Sequence, residues 1–329
     1  MKKLMLVLIA AVLVAGCTGQ PPSTNQGGGT NVEAADVMVA TNEATIPASP
    51  AADTEFTARF TVKNQHKANK AENVGVWIYD TGKCSITKIG GLDAAKVGGL
   101  WPGLMIETGS GDTAKVEHTA DFAAGQEELV KLDMKAPMSA QIGGLSYNCL
   151  IRYLVNYSFA ARSSMTVDVM SGDRLRQVET QLGSRPTYTR TLNVGAGPIR
   201  ILMEPTSAMP IEAGKKLAFE ITLKNEGTGD YASVLPGQLS FQLPKEFVAM
   251  LNSNNLACGG FFDSGADKDN IKNFTNYRKI DLIEKQANPI TCEFNVPTSV
   301  SVEQEYVITA ELPYLYGYFG EEISVPITP

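Results

Sequence analysis

The sequence predicts an all-β protein built as two β-sandwiches in tandem. Three observations point there: a repeated strand, alternating segments separated by Gly- and Pro-bearing turns, and an even set of cysteines in a chain that looks exported. The repeat comes first. Residues 56–65 read FTARFTVKNQ and residues 217–226 read LAFEITLKNE. In the first copy Phe56, Ala58, Phe60 and Val62 share one face; in the second Leu217, Phe219, Ile221 and Leu223 do. A period of two marks a strand with one buried face, and each copy ends in Lys-Asn, where the chain should turn.

The later parts of the halves also correspond. Cys149, Ile151, Tyr153, Val155, Tyr157 and Phe159 share one face, Arg152, Asn156 and Ser158 the other, and a second strand is expected from Met165 to Met170. In the second half Tyr306–Leu312 is followed by Ile323–Ile327, so each half is expected to close on an antiparallel pair. Residues 74–79 and 129–134 supply further strands in the first half, and 238–243, 277–283 and 290–296 in the second. About seven short strands per half suit a sandwich. Pro186 and the run Val194-Gly-Ala-Gly-Pro198 place the boundary, giving domains at 34–194 and 195–329. Leu175, Val178 and Leu182 recur at helical spacing and predict a short helix over 173–182, ended by Gly183. Residues 244–251 read equally as a helical turn or an irregular strand.

Ahead of the repeat, Lys2 and Lys3 precede Leu4–Val14, a run without charge or proline. It is about half the roughly twenty residues a membrane-crossing helix needs and has the form of a secretory signal. Val14-Ala15-Gly16-Cys17 resembles the lipobox of bacterial and archaeal lipoproteins, with Val where Leu is commoner. That resemblance implies a signal peptide over 1–16 and a lipid on the Cys17 thiol. Residues 17–33 then hold the lipidated cysteine and a Pro-, Gly-, Ser- and Asn-rich tether with no apolar anchor.

Loss of Lys2 and Lys3 leaves 26 basic against 35 acidic side chains. An excess of acid argues against nucleic acid as a partner. The expected partners are the membrane, through the lipid, and another surface protein or a glycan. With Cys17 taken by lipid, Cys84, Cys149, Cys258 and Cys292 remain. Three pairings are possible, and the domain boundary favours Cys84–Cys149 and Cys258–Cys292, one bridge per half.

Both halves resemble the immunoglobulin-like modules of the CARDB and related surface-protein families. Those show a strand ending in Asn and Gly, a short loop with Ala, then a Val-x-Val strand with an aromatic. Lys224-Asn225-Glu226-Gly227 and Ala232 match in the second half. In the first, Lys63-Asn64-Gln65 is followed by His66 in place of Gly, and residues 73–80 (NVGVWIYD) supply the next strand. Tyr147-x-Cys149 resembles the tyrosine corner of antibody-like domains. Trp77 precedes Cys84 instead of following it, so an antibody-type disulfide is not implied.

No catalytic residue, cofactor or metal is expected. His66 and His118 are the two histidines, and both lie in polar stretches expected to be solvated. Neither G-x-S-x-G nor H-E-x-x-H occurs. Ser85-Ile-Thr-Lys88 has the bare S-x-x-K spacing of penicillin-recognising acyl enzymes, but it follows a strand and lacks a K-T-G partner. Asp263, Asp267 and Asp269 cluster without EF-hand spacing and are expected in a solvated turn. Asn156-Tyr-Ser158 and Asn273-Phe-Thr275 are N-glycosylation sequons.

The expected contact surface is apolar. Ile89-Gly-Gly-Leu92, Val97-Gly-Gly-Leu100 and Ile142-Gly-Gly-Leu145 share a pattern, Trp101 follows the second, and Tyr314, Tyr316, Tyr318 and Phe319 lie at the turn of the last expected hairpin. Exposed aromatics beside glycine suit contact with protein or sugar. The function expected is that of a non-enzymatic surface lipoprotein, in adhesion or envelope assembly. The alternative is a ligand- or carbohydrate-binding lipoprotein presenting its ligand to a partner.

Overall fold

A computed structural model describes residues 36–329 apart from 90–91, 94–103, 108–112, 115–119, 189–190, 232, 251–256 and 266–269; residues 92–93, 104–107, 113–114 and 120 are described by their backbone alone. In chain order the strands are β1 Met38–Ile46, β2 Glu55–Asn64, β3 Ala71–Asp80, β4 Ser85–Ile89, β5 Leu92–Asp93, β6 Leu104–Glu107, β7 Thr113–Ala114, β8 Ala120–Phe122, β9 Glu127–Lys135, β10 Tyr147–Met170, β11 Leu192–Val194 and β12 Ile199–Pro205. They continue with β13 Ile211–Glu212, β14 Lys216–Asn225, β15 Ser233–Val234, β16 Ser240–Pro244, β17 Val248–Ala249, β18 Phe261–Asp263, β19 Ile271–Asn276, β20 Ile280–Asp281, β21 Ile290–Asn295, β22 Glu303–Phe319 and β23 Ile323–Ile327. Among the described residues one α-helix, α1, spans Gly172–Leu182. The Ser171 side chain accepts the Arg174 N–H at its start and Gly183, at φ 70°, ends it, as the helical spacing predicts. No described helix is long and apolar enough to cross a membrane.

The fold is all-β, and its strands make layers. The repeated strands β2 and β14 bury the alternating faces read from sequence. Each is central to a small sheet, ordered β1-β2-β9-β4-β5 in the first half and β12-β14-β21-β17 in the second. Both small sheets face a twelve-stranded sheet whose middle runs β3-β10-β22-β16. In the first sandwich Phe60 of β2 stacks on Tyr153 of β10 at 4.0 Å between centroids. In the second, Phe219 of β14 and Phe294 of β21 meet Phe241 of β16 at 6.2 and 5.9 Å. The disulfides are Cys84–Cys149 and Cys258–Cys292. The first joins the chain entering β4 to β10, across the two layers. Each closes a loop worth about 4 kcal/mol in the chain-entropy picture.

Two expectations about strand layout are corrected. Residues 149–159 and 165–170 are not a pair but one 24-residue strand, β10, roughly 80 Å long at the usual rise. Its phase never breaks: every odd-numbered side chain from Cys149 to Val169 is buried, with Ser163 keeping its place among them. Likewise β22 runs past Leu312 to Phe319, carrying Pro313 opposite Ala160, and β23 does not fold back on it. Instead β22 pairs with β10 from Leu154 to Met170 and β23 continues along the same edge from Tyr147 to Ile151.

The β10–β22 ladder crosses the expected boundary at 194/195, so the two sandwiches share one sheet. Tyr157 sits opposite Tyr316, which puts the buried side chains of both strands on a common face. Residues from Glu33 to Pro329 form a single compact unit. The face of the large sheet turned away from the two small sheets carries the even-numbered side chains of β10 and the odd-numbered ones of β22, and these, the buried Met170 apart, are half-buried or exposed.

Candidate functional site

Where β10 and β22 run side by side, the buried face forms a polar seam. The Asn that ends each repeated strand builds the same turn in both halves. Asn64 Oδ1 accepts the His66 N–H (2.9 Å), and its amide donates to the carbonyls of Asn69 and Phe122. Asn225 Oδ1 accepts the Gly227 N–H (3.1 Å), and its amide donates to the Gly229 carbonyl. A buried amide satisfied on both ends fixes the loop, whereas leaving it unpaired would cost about 1–3 kcal/mol. Gly227 is required by close approach: a Cβ there would collide with the Tyr316 hydroxyl, Asp36 and Pro198. His66 fills the equivalent place in the first half. It is buried and not solvated as expected, with its Nδ1 accepting the N–H groups of Ala68 and Asn69 and its ring 5.7 Å from Phe159.

Asp36 and the tyrosines complete the seam. The Asp36 carboxylate accepts from the Thr228 N–H and hydroxyl, joining residues 192 apart in sequence. Tyr316 donates to Asn225 Oδ1 at 3.1 Å, and the Tyr157 hydroxyl accepts the Val37 N–H. Burial raises the Tyr157, Tyr314 and Tyr316 hydroxyls far above their ordinary value and Tyr231 to about 12. These groups therefore stay protonated, and Tyr157 and Tyr316 act as neutral hydrogen-bonding groups.

The seam overturns part of the expected contact surface. Tyr314 and Tyr316 belong to β22, not to a hairpin turn, and are buried. Tyr318 is half-buried against the core, and only Phe319 of the four is exposed, at 47 %. Ile142 is buried while Leu145, beyond two left-handed glycines, is 71 % exposed. Trp101, His118, Asp267, Asp269 and Cys17 lie outside the described residues, as do Gly90 and Gly91 and the second Gly-Gly pattern. Asp263 is exposed and accepts the Gly265 N–H, making the solvated turn expected of it. Ser85 and Lys88 lie on β4, so the one-turn helical spacing of an acyl-enzyme pair is missing. Tyr147 accepts the Lys83 N–H, a contact far from the few-residue reach of a tyrosine corner. Both sequon asparagines are half-buried on strands, Asn156 on β10 and Asn273 on β19.

The outward face of the shared sheet carries what sequence reading missed. A groove of about 780 Å³ lies at the β10–β22 pair, lined by Ser158, Ala160 and Pro313 and by Lys70, Glu72 and Gln238. A second hollow of about 400 Å³ adjoins it, sharing Arg162, Gly195 and Glu311. Arg162 and Glu311 are opposite one another in the ladder and pair at 2.9 Å. Beyond the groove Trp77, Tyr79 and Phe319 form an aromatic row, with 5.9 Å between the first two rings and 6.4 Å between the last two. The signal was present in sequence as the even-numbered half of β10, but choosing it required knowing which face the small sheets cover.

No family model matches the chain, and no curated protein matches it. Among solved structures, the collagen adhesin (CNA) from S. aureus aligns over 89 % of this chain and 93 % of that one at 9 % identity, with a TM-score of 0.12. A score that low carries no argument, so the fold rests on the sheets themselves.

Proposed function

We propose that this chain is an extracytoplasmic lipoprotein, held at the outer face of the membrane by lipid on Cys17, that works by contact and not by catalysis. The resemblance of residues 14–17 to a lipobox supports the anchor, and two disulfides suit an oxidising compartment. The observation that carries the contact role is the outward face of the large sheet. It runs across both halves and holds Leu315 at 61 % and Phe319 at 47 % exposure beside a polar groove. Large apolar side chains gathered on one face mark interaction surfaces. Adhesion or envelope assembly is the role proposed, with the modules related in kind to CARDB-type surface domains.

Mass spectrometry of the protein from its own membranes tests the anchor. The expected species begins at Cys17 and carries acyl chains, and Cys17→Ser leaves the protein unlipidated. A mature chain with a free, unmodified Met1 overturns the placement. A photo-crosslinking side chain at position 315 in intact cells tests the contact role. Crosslinks to a surface component are expected, and none above a control position on the core side would refute it.

A further inference from the structure

On the outward face, Asn156 of β10 lies between two glycines, Gly75 of β3 and Gly317 of β22. At Gly317 a methyl would come within 3.2 Å of Asn156 Oδ1 and of Leu154, so only glycine leaves both side chains room there. Among the described residues the Asn156 side chain has no hydrogen-bonding partner, although it carries two donors and an acceptor. The next row of the sheet is Trp77–Leu154–Phe319, an apolar shelf beside that amide. On the other side lies the row of Ser158 and Leu315, both of which line the groove.

The cations named on this face are all paired. Arg152 pairs with Asp80 and Glu322, Lys70 with Glu72 and Asp121, and Arg162 with Glu311. An anionic ligand finds no lone cation among them and meets an excess of carboxylates. A neutral ligand with an apolar face and a hydroxylated rim finds both of its complements: electron-rich rings for its C–H groups and a free amide for its hydroxyls.

We infer that the Trp77–Phe319 shelf, the Asn156 amide and the adjoining groove bind a neutral oligosaccharide, one pyranose ring on the shelf and its neighbours along the groove. This rests on the reading of the outward face as a contact surface. The groove's volume is within the range of small-ligand sites.

The test uses the full chain in a sugar-free detergent, carrying Trp101→Phe so that Trp77 is the sole indole. Neutral tetrasaccharides of glucose, mannose, galactose and N-acetylglucosamine are titrated against its fluorescence. At least one is expected to shift Trp77 emission saturably. Phe319→Ala and Asn156→Ala are each expected to weaken that binding about tenfold with the melting temperature unchanged. Should either variant melt early, Gly317→Ala, which crowds the Asn156 amide and Leu154, takes its place with the same expected loss. Absence of a shift with every tetrasaccharide, or affinities untouched by these variants, overturns the assignment. A face that crosslinks at position 315 but takes only an acidic polysaccharide or a protein also overturns it, while leaving the contact reading standing.

Discussion

Leu312→Ala tests whether the two sandwiches behave as one cooperative body. Leu312 is fully buried on β22, opposite Ala161 of β10, and so lies in the ladder shared by the halves. Truncating a buried leucine costs about 2–5 kcal/mol, depending on how far the surroundings close over the cavity. Unfolding entropy is about 2.1 cal/mol/K per residue, or about 0.6 kcal/mol/K for a unit of roughly 300 residues. If Glu33–Pro329 unfolds together, the melting temperature falls by about 3–8 °C in a single transition. If residues 195–329 melt alone, the entropy is less than half as large, and that half drops by about 7–18 °C while the other does not move. Differential scanning calorimetry with disulfides intact separates the cases. Cooperative melting gives a calorimetric enthalpy equal to the van't Hoff value, about 200 kcal/mol. Two resolved peaks, with only one displaced by Leu312→Ala, would refute the argument that a shared ladder makes one unit.

Three further predictions follow from the same contacts. Peptide mapping under non-reducing conditions is expected to return the linked pairs Cys84–Cys149 and Cys258–Cys292, and replacing either pair by alanine lowers denaturant stability by up to about 4 kcal/mol. Tyr316→Phe removes one donor to Asn225 and costs about 1 kcal/mol in urea unfolding, whereas Asn225→Ala strands the Gly229 carbonyl and Gly227 N–H as well and costs more. Glu43 is held above its ordinary pKa of 4.5, first by burial, while the hydroxyl of Tyr153 donates to it and works the other way. The folded state then holds that proton more tightly than the unfolded one, so stability is full below pH 4.5 and declines as pH rises through the raised value. Glu43→Gln should flatten that decline in urea unfolding measured across the window, and an unchanged slope would remove Glu43 from the account.

Much was legible before any coordinates. The repeat at Phe56 and Leu217, the buried faces of β2 and β14, helix α1 and the bridge pairing follow from rules that act within a strand or across one turn: alternation, capping, and the economy of pairing cysteines within a half. What failed was longer in range. Ala160–Ser164 is small and polar enough to pass for a turn, yet its alternation stays in phase, and only pairing with β22 shows that the strand runs on. Pro313 and Gly317 argue locally against a strand and are tolerated because neighbours on both sides hold β22 in place.

By itself the sequence determined that the chain is made of one-sided strands, how they divide into two similar sets, and which cysteines suit each other, because those properties are written in neighbouring residues. The tertiary structure alone decided that the two sets share a sheet, that Tyr314 and Tyr316 are core and not surface, and that Asn156 looks outward between two glycines. Each of these depends on which strand lies beside which, and partners distant in sequence leave no local mark on either segment.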